Sequence, residues 1–318
     1  MDALLALWDG AFGSPFAFWS ATLVRATPLV LVGLAVALAF RAGVLNIGAE
    51  GQLVAGAIAA AAFAQWLEAM PGIVTVPAMA VGGMCAGAAW AGIAAWLRRR
   101  FEVLEVISTI MLNFIAHALL SWVVRGPLQE PTGIYPQSRA IAEAARWPFL
   151  LDGQRLHLGF ALGLVLAGAS WYWLTRTAGG FRVRVVGAGA RAAASAGGVD
   201  VARTSFGIFL VSGACAGLAG ASEVGGVTWA LYEGISPGYG YTAIAVALLA
   251  RLDPRWVVLS AVFFGALEAG AAAMQRDAGV PAVIVQVFVA LVILGVLGGR
   301  QLTERLRAQQ RAARPEAA

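Results

Sequence analysis

The chain contains no lysine: every one of its 22 basic residues is arginine. Without lysine there is no Walker A lysine, no pyridoxal Schiff base and no lysine nucleophile. If nucleotide hydrolysis drives this protein, another polypeptide must bind the nucleotide. Charge of either sign is scarce. Asp, Glu, Lys and Arg make up 12% of the 318 residues, against about 25% in an ordinary soluble domain. That is too little charge to coat a folded surface of this size, which excludes a water-soluble globular protein. Cysteine and histidine are nearly missing too. Cys85 and Cys215 lie far apart inside apolar runs and read as reduced packing residues; a metal or redox centre would need further ligands nearby. His117 and His157 are poorly placed for a metal pair, and no Ser/His/Asp set shares one depth, which argues against an intramembrane enzyme. No cofactor is expected. The N-terminus has neither a basic n-region nor a small-residue cleavage site, so no removable signal peptide is expected.

Apolar residues fill the space. They account for 60% of the chain, and the mean hydropathy is +0.78. The runs are long, rich in Ala, Gly, Leu and Val, and lack period-2 alternation, so they predict membrane-spanning helices rather than a closed barrel. The formal charge of +5 does not point to nucleic acid, because the arginines sit between apolar runs, where charge orients a membrane protein.

Windows of about 20 apolar residues predict spans at Phe16–Phe40, Gly51–Leu67, Ile73–Leu97, Val103–Val124, Leu156–Leu174, Ser205–Gly225, Trp256–Met274 and Pro281–Leu297. The shorter piece Tyr241–Leu249 completes an all-α, polytopic bundle of about nine spans with interrupted helices, forming a single transmembrane domain over 1–318. With nine alternating crossings, Arg41, Arg98–Arg100, the five arginines of 175–204, Arg251, Arg255 and the C-terminal arginines from Arg300 onward fall on one side, 16 of the 22. Arg125, Arg139, Arg146, Arg155 and Arg276 fall on the other. That asymmetry predicts a cytoplasmic C-terminus and an external N-terminus. The stretch 125–155, with Pro127, Pro131, Pro136 and Pro148, is then an external loop, ordered or carrying a short surface helix. The stretch 175–204 is internal. It is either a docking surface for a cytoplasmic partner or simple topology-setting charge.

Two segments enter their spans through glycine-broken turns. One is RAGVLNIGAEGQLVAG from Arg41, which carries Asn46, Glu50 and Gln52; the other is YEGISPGYGYTAIAVALLAR from Tyr232, which carries Tyr239 and Tyr241. Paired interruptions of this kind can face substrate with half-helix ends and freed backbone groups, or can be ordinary capped turns. In the fourth span Glu105, Thr109, Asn113 and His117 recur every four residues and share one helical face. Such a stripe lines a wet path or bonds to neighbouring helices. Arg25, Glu223 and Glu268 are further ionisable residues inside spans, and Glu268 needs a partner that the sequence does not name.

The series ALAFRAGVLNIGAEGQLVAG, EVISTIMLNFIA, SGACAGLAGASEV and GYGYTAIAVALLAR resembles the permease subunits of bacterial nucleoside and simple-sugar ABC importers, within the ribose/branched-chain amino-acid permease superfamily. The resemblance runs from about Leu7 to Arg300. It implies a multi-pass inner-membrane permease without catalytic residues of its own. Its implied partners are a second permease copy or paralogue, a cytoplasmic ATP-binding subunit, an extracytoplasmic substrate-binding protein and membrane lipid. It implies that Asn46–Gly48 and Glu50–Gln52 flank the translocation region. The candidate substrate path is accordingly Asn46, Glu50, Gln52, Thr109, Asn113, His117, Tyr239 and Tyr241; the candidate ATPase-coupling residues are Arg184, Gly187, Arg191 and Ala193. Two features depart from that pattern. The usual Gly-x-Asn-Pro turn reads Gly187-Ala188-Gly189-Ala190, and an extra apolar helix expected ahead of ALWDGAFG is missing. The competing expectation is a stand-alone proton-coupled secondary transporter using a glutamate such as Glu268.

Overall fold

The computed structural model describes residues 3–189, 193–194, 198–281, 287, 290–291 and 294–295. Among them the regular structure is helical, and the only β-type pairings are isolated bridges. In chain order the helices are α1 (Ala3–Phe12), α2 (Leu23–Arg41, led in by a π-helical turn Ala17–Thr22), α3 (Ala49–Trp66), α4 (Gly72–Phe101) and α5 (Glu105–Val124). They continue with α6 (Leu158–Arg176), α7 (Ala178–Ala188), α8 (Val201–Glu223, extended by a π-helical turn Val224–Thr228), α9 (Tyr239–Leu249) and α10 (Pro254–Asp277).

Six of these helices, counting the π-helical turns, are long and apolar enough to cross a membrane. α3 falls short of that standard because Glu50, Gln52 and Gln65 dilute it, and α9 because it has only 11 residues. The expected span at Pro281–Leu297 lies largely outside the described residues. Helix boundaries match the expected spans to within a few residues, with one consequential shift: α3 begins at Ala49, so Glu50 and Gln52 belong to its first turn rather than to the broken entry. α1 had no counterpart among the expected spans. It is short, and it lies against α10 with Gly10 over Ala269 and Gly270.

The burial pattern ranks the helices. The most apolar window of α2 is 83% buried and that of α8 67%, against 22% for α6 and 28% for α4. α2, α3 and α8 therefore form the centre, and α4 and α6 form the rim. Ile73 and Val81 on α4, Val165 on α6, Phe114 and Trp122 on α5 and Trp66 at the end of α3 are exposed, an apolar surface that water would not tolerate and lipid solvates.

Lipid offers helices no hydrophobic drive to associate, so close packing of small residues holds them together. Here α3, α4 and α8 meet along a glycine seam. α4 carries Gly83-Met-Cys-Ala-Gly87 and α8 carries Gly213-Ala-Cys-Ala-Gly217, both with the small-xxx-small spacing. A Cβ on Gly217 would lie 3.0 Å from the Gly87 Cα and nearer still to the Gly83 carbonyl.

At one end of the bundle the arginines collect. The Arg41 guanidinium donates to the Leu252 carbonyl at 3.2 Å and Arg184 donates to the Leu174 carbonyl at 2.7 Å. Arg98 pairs with Glu105 at 2.5 Å. The opposite end is covered by the segment between α5 and α6. Within it Trp147 is buried against Gly225, the Arg146 guanidinium stacks 4.4 Å over Trp229, and Glu143–Ala145 forms one 3-10 turn. The Ser138 and Ile141 amides bond to the Leu231 and Trp229 carbonyls, pinning the approach to α9. Beside them Arg125 and Ser121 hold the Glu233 carboxylate below the usual carboxyl pKa, Arg125 being the stronger cause.

The seam makes a direct prediction. Gly217→Leu forces α4 and α8 apart, an overpacking cost of about 1–3 kcal/mol. It should lower the thermal unfolding midpoint of the detergent-solubilised protein or abolish its monodisperse chromatographic peak. Cys85→Ala, at a lipid-exposed position within the same motif, should leave both unchanged.

Candidate functional site: a polar junction beneath a charged cavity

The two interrupted entries meet. Gly238 (φ +100°) opens α9, and its backbone leads at once to Gly240, whose amide donates to the Glu50 carboxylate at 2.6 Å. A Cβ on Gly240 would sit 2.7 Å from the Glu50 Cβ and closer to its backbone, so only glycine allows the approach. The residue just before each helix is a glycine, Gly48 for α3 and Gly238 for α9, and offers no capping side chain; at α9 the Ser236 hydroxyl accepts from the Gly238 and Tyr239 amides at 3.2 and 3.1 Å. Their orphan amides are met from elsewhere. The Gly48 amide donates to Asn46 Oδ1 at 3.0 Å, and the Gly51 amide donates to Asn113 Oδ1 at 2.9 Å. Glu50 thus lies in the first turn of one helix while accepting from the first turn of another, where both positive dipole ends favour a carboxylate.

A closed hydrogen-bond network surrounds this junction. Asn46 Nδ2 donates to Gln52 Oε1 at 2.9 Å and to Ser212 Oγ at 2.8 Å, Gln52 Nε2 donates back to Asn46 Oδ1 at 3.0 Å, and Ser212 Oγ donates to the Ala35 carbonyl at 2.7 Å. One polar chain therefore ties α2, α3 and α8 together at full burial. Asn113 Nδ2 donates to the Ile47 carbonyl at 3.1 Å and to the Tyr241 hydroxyl at 3.2 Å. His117 Nε2 stands 3.7 Å from Glu50. All eight expected path residues except Tyr239 therefore join this junction or touch it, with Thr109 packing its methyl against Gly48. The α5 stripe does share one face, and that face bonds to α3 and its entry loop.

Above the junction lies a cavity of about 760 Å³, reaching from Tyr239, Tyr241 and Thr242 to Ser20 and Arg155. Arg25, Glu223 and Glu268, from α2, α8 and α10, converge on its wall. Sequence reading found all three as ionisable residues within spans, but not that they meet. Both π-helical turns open onto the same space, through Ser20 in one and Val227 and Thr228 in the other; π-turns cluster at functional sites because they widen a helix locally. A larger cleft of about 980 Å³ runs between α1 and α10, but its lining is mostly apolar, with Leu7, Trp8, Phe12, Trp256 and Phe263.

The candidate coupling residues divide. Arg184 caps the last turn of α6, Gly187 packs against the Arg41 backbone at the end of α2, and Ala193 is buried, its amide bonded to the Gly189 carbonyl at 2.9 Å. Arg184 and Gly187 fasten the segment to α6 and α2, whereas the Ala193 bond lies within the segment. Arg191 lies outside the described residues. The large exposed side chains on α7 are Phe181 and Arg182, and Ala178, Gly187 and Ala188 are exposed as well. Among the described residues no cluster of His, Cys, Asp and Glu could hold a metal ion.

Six membrane-length apolar helices around a buried polar junction and a charged cavity define a multi-pass membrane permease. The chain belongs to the family described as branched-chain amino acid transport system, permease component, which matches residues 18–297. It is 40% identical over 285 residues to the glucose ABC transporter permease protein TsgB13 of Haloferax volcanii, covering 86% of this chain and 74% of that one. It is 38% identical over 298 residues to the guanosine ABC transporter permease protein NupP of Bacillus subtilis, covering 92% and 84%. It is also 31% identical over 281 residues to the nucleoside ABC transporter permease protein NupB of Lactococcus lactis, covering 86% and 77%. No solved structure matches. These relatives are ABC transporter permeases rather than enzymes, and the chain is one of that class.

The junction predicts a graded mutational response. Glu50→Ala removes the acceptor shared by two helix starts, a charge-assisted bond of about 1.5–3 kcal/mol. It should cut transport by about tenfold or more. Glu50→Gln keeps one carbonyl acceptor and should retain a clearly larger share. Initial uptake rates at matched membrane expression distinguish the two.

Proposed function

We propose that this chain is the permease subunit of an ATP-driven importer that moves nucleosides or simple sugars inward by alternating access. The observation that carries the reading is the Glu50–Gly240 contact, which closes the floor of a polar cavity by joining two interrupted helices. Such a floor opens when two helix ends separate, without unfolding either. Relatives whose names specify guanosine, nucleoside or glucose supply the cargo class. A stand-alone proton-coupled carrier fits less well, because the relatives are subunits of ABC transporters.

In this reading α3 and α9 count as crossings and a last crossing follows α10, giving nine. The arginine-rich end faces the cytoplasm, with the C-terminus, in the bacterial inner membrane. The segment 125–155 covers the external mouth and receives cargo from a binding protein. A separate ATP-binding subunit docks on the cytoplasmic surface around α7. The cleft there, lined by Trp173, Arg182, Asp200, Arg203 and Thr204 with a volume of about 620 Å³, suits an acidic partner surface. A second permease, identical or paralogous, completes the conduit.

Reconstitution with the adjacent ATP-binding subunit, binding protein and any paralogous permease tests the reading. Labelled guanosine or ribose should accumulate in vesicles only with ATP on the arginine-rich side. Uphill uptake by the chain alone, without nucleotide and abolished by collapsing the proton gradient, would overturn it.

A further inference from the structure

Glu223 ends α8 and is 4% exposed, while Glu268 lies in the middle of α10. Both face the cavity of about 760 Å³. Among the described residues neither carboxylate accepts a hydrogen bond or makes an ion pair. Glu223 is bonded only through its main chain, the carbonyl accepting from Thr228 at 3.2 Å. Arg25 shares the wall, and its recorded bond is to the Ala21 carbonyl of its own helix at 3.4 Å. Carboxylates within a membrane bundle are costly unless something supplies donors, and here the open side of each is the cavity.

We propose that this cavity is the cargo-binding site and that Glu223 and Glu268 recognise vicinal hydroxyls of a neutral sugar ring, as in a nucleoside's ribose. The inference rests on the importer reading above and specifies the chemistry of its cargo site. A carboxylate has only acceptors, so the ligand must bring donors, and a cis-diol brings two at adjacent positions. Two arginines, Arg25 and Arg155, line the same cavity as the two glutamates, so its wall is not of one charge sign. Tyr232, Tyr239 and Tyr241 stand around it and offer faces for a planar base together with hydroxyls for its edge. The volume lies within the range of sites for small organic ligands.

Cysteine protection in the assembled importer tests the site. Ala272 lines the cavity and is partly exposed, so Ala272→Cys, with Cys85 and Cys215 replaced by alanine, reports occupancy through its rate of maleimide labelling in nanodiscs. Guanosine and ribose at millimolar concentration should slow labelling several-fold, whereas 2′,3′-dideoxyguanosine and leucine should not. Adding Glu223→Gln or Glu268→Gln should weaken guanosine protection by about tenfold in concentration, the scale of one charge-assisted hydrogen bond. The same substitutions should leave the rate without cargo unchanged, which shows that the fold is intact. Equal protection by guanosine and its dideoxy analogue, protection by leucine alone, or no protection would overturn the diol site. ATP-dependent guanosine uptake by the same preparation would then leave the importer reading standing, and its absence would remove both.

Discussion

The architecture turns on one carboxylate. Glu50 sits in the first turn of α3 and accepts the Gly240 amide from the first turn of α9, across 190 residues of sequence. Two helices that start inside the bundle leave several amides without partners, and in lipid each such group costs several kcal/mol. The glutamate, Asn46 and Asn113 supply those partners. This allows the chain to keep two interrupted helices at the centre of a membrane protein. An uninterrupted pair would be cheaper, but it would leave no seam to part.

The surroundings are arranged to hold that seam. The glycine contacts of α4 with α8 fix the scaffold on one side, and the Asn46–Gln52–Ser212 chain links three helices at the same depth. At the opposite end, the bonds of Ser138 and Ile141 to the strand-like approach of α9 set the height at which Gly240 arrives. The floor and the cover of the cavity therefore belong to one mechanical unit: a shift of α9 alters both.

Much of this was legible in the sequence because it is local. Hydropathy gave the helices, glycines marked both interruptions with Pro237 at the second, and a four-residue spacing put Thr109 and Asn113 on one face. What stayed hidden is which faces meet. Nothing in the spacing of Arg25, Glu223 and Glu268 says that α2, α8 and α10 present them to one cavity, since each is an isolated charge in its own span. The repeated Gly-x-Cys-Ala-Gly of α4 and α8 was a readable signal for their contact, obscured by the abundance of glycine elsewhere. Arg184 and Gly187 lie in a basic loop, and that they also fasten it to α6 and α2 could not be read from its composition. α1 was too short, and interrupted too soon by Gly13 and Pro15, to register as a span.

In the proposed importer the junction separates two compartments and nucleotide reverses which one is open. Cysteines at Gln275, in the cavity, and at Leu45, exposed beyond the junction on the arginine-rich side, report the two sides within the same complex. Without nucleotide a membrane-impermeant thiol reagent added externally should label position 275, and one added from the cytoplasmic side should label position 45 at a fixed low rate. Trapping the complex with ATP and vanadate should slow the first and change the second. If both rates stay the same through the nucleotide cycle while cargo is being transported, the junction is not the gate.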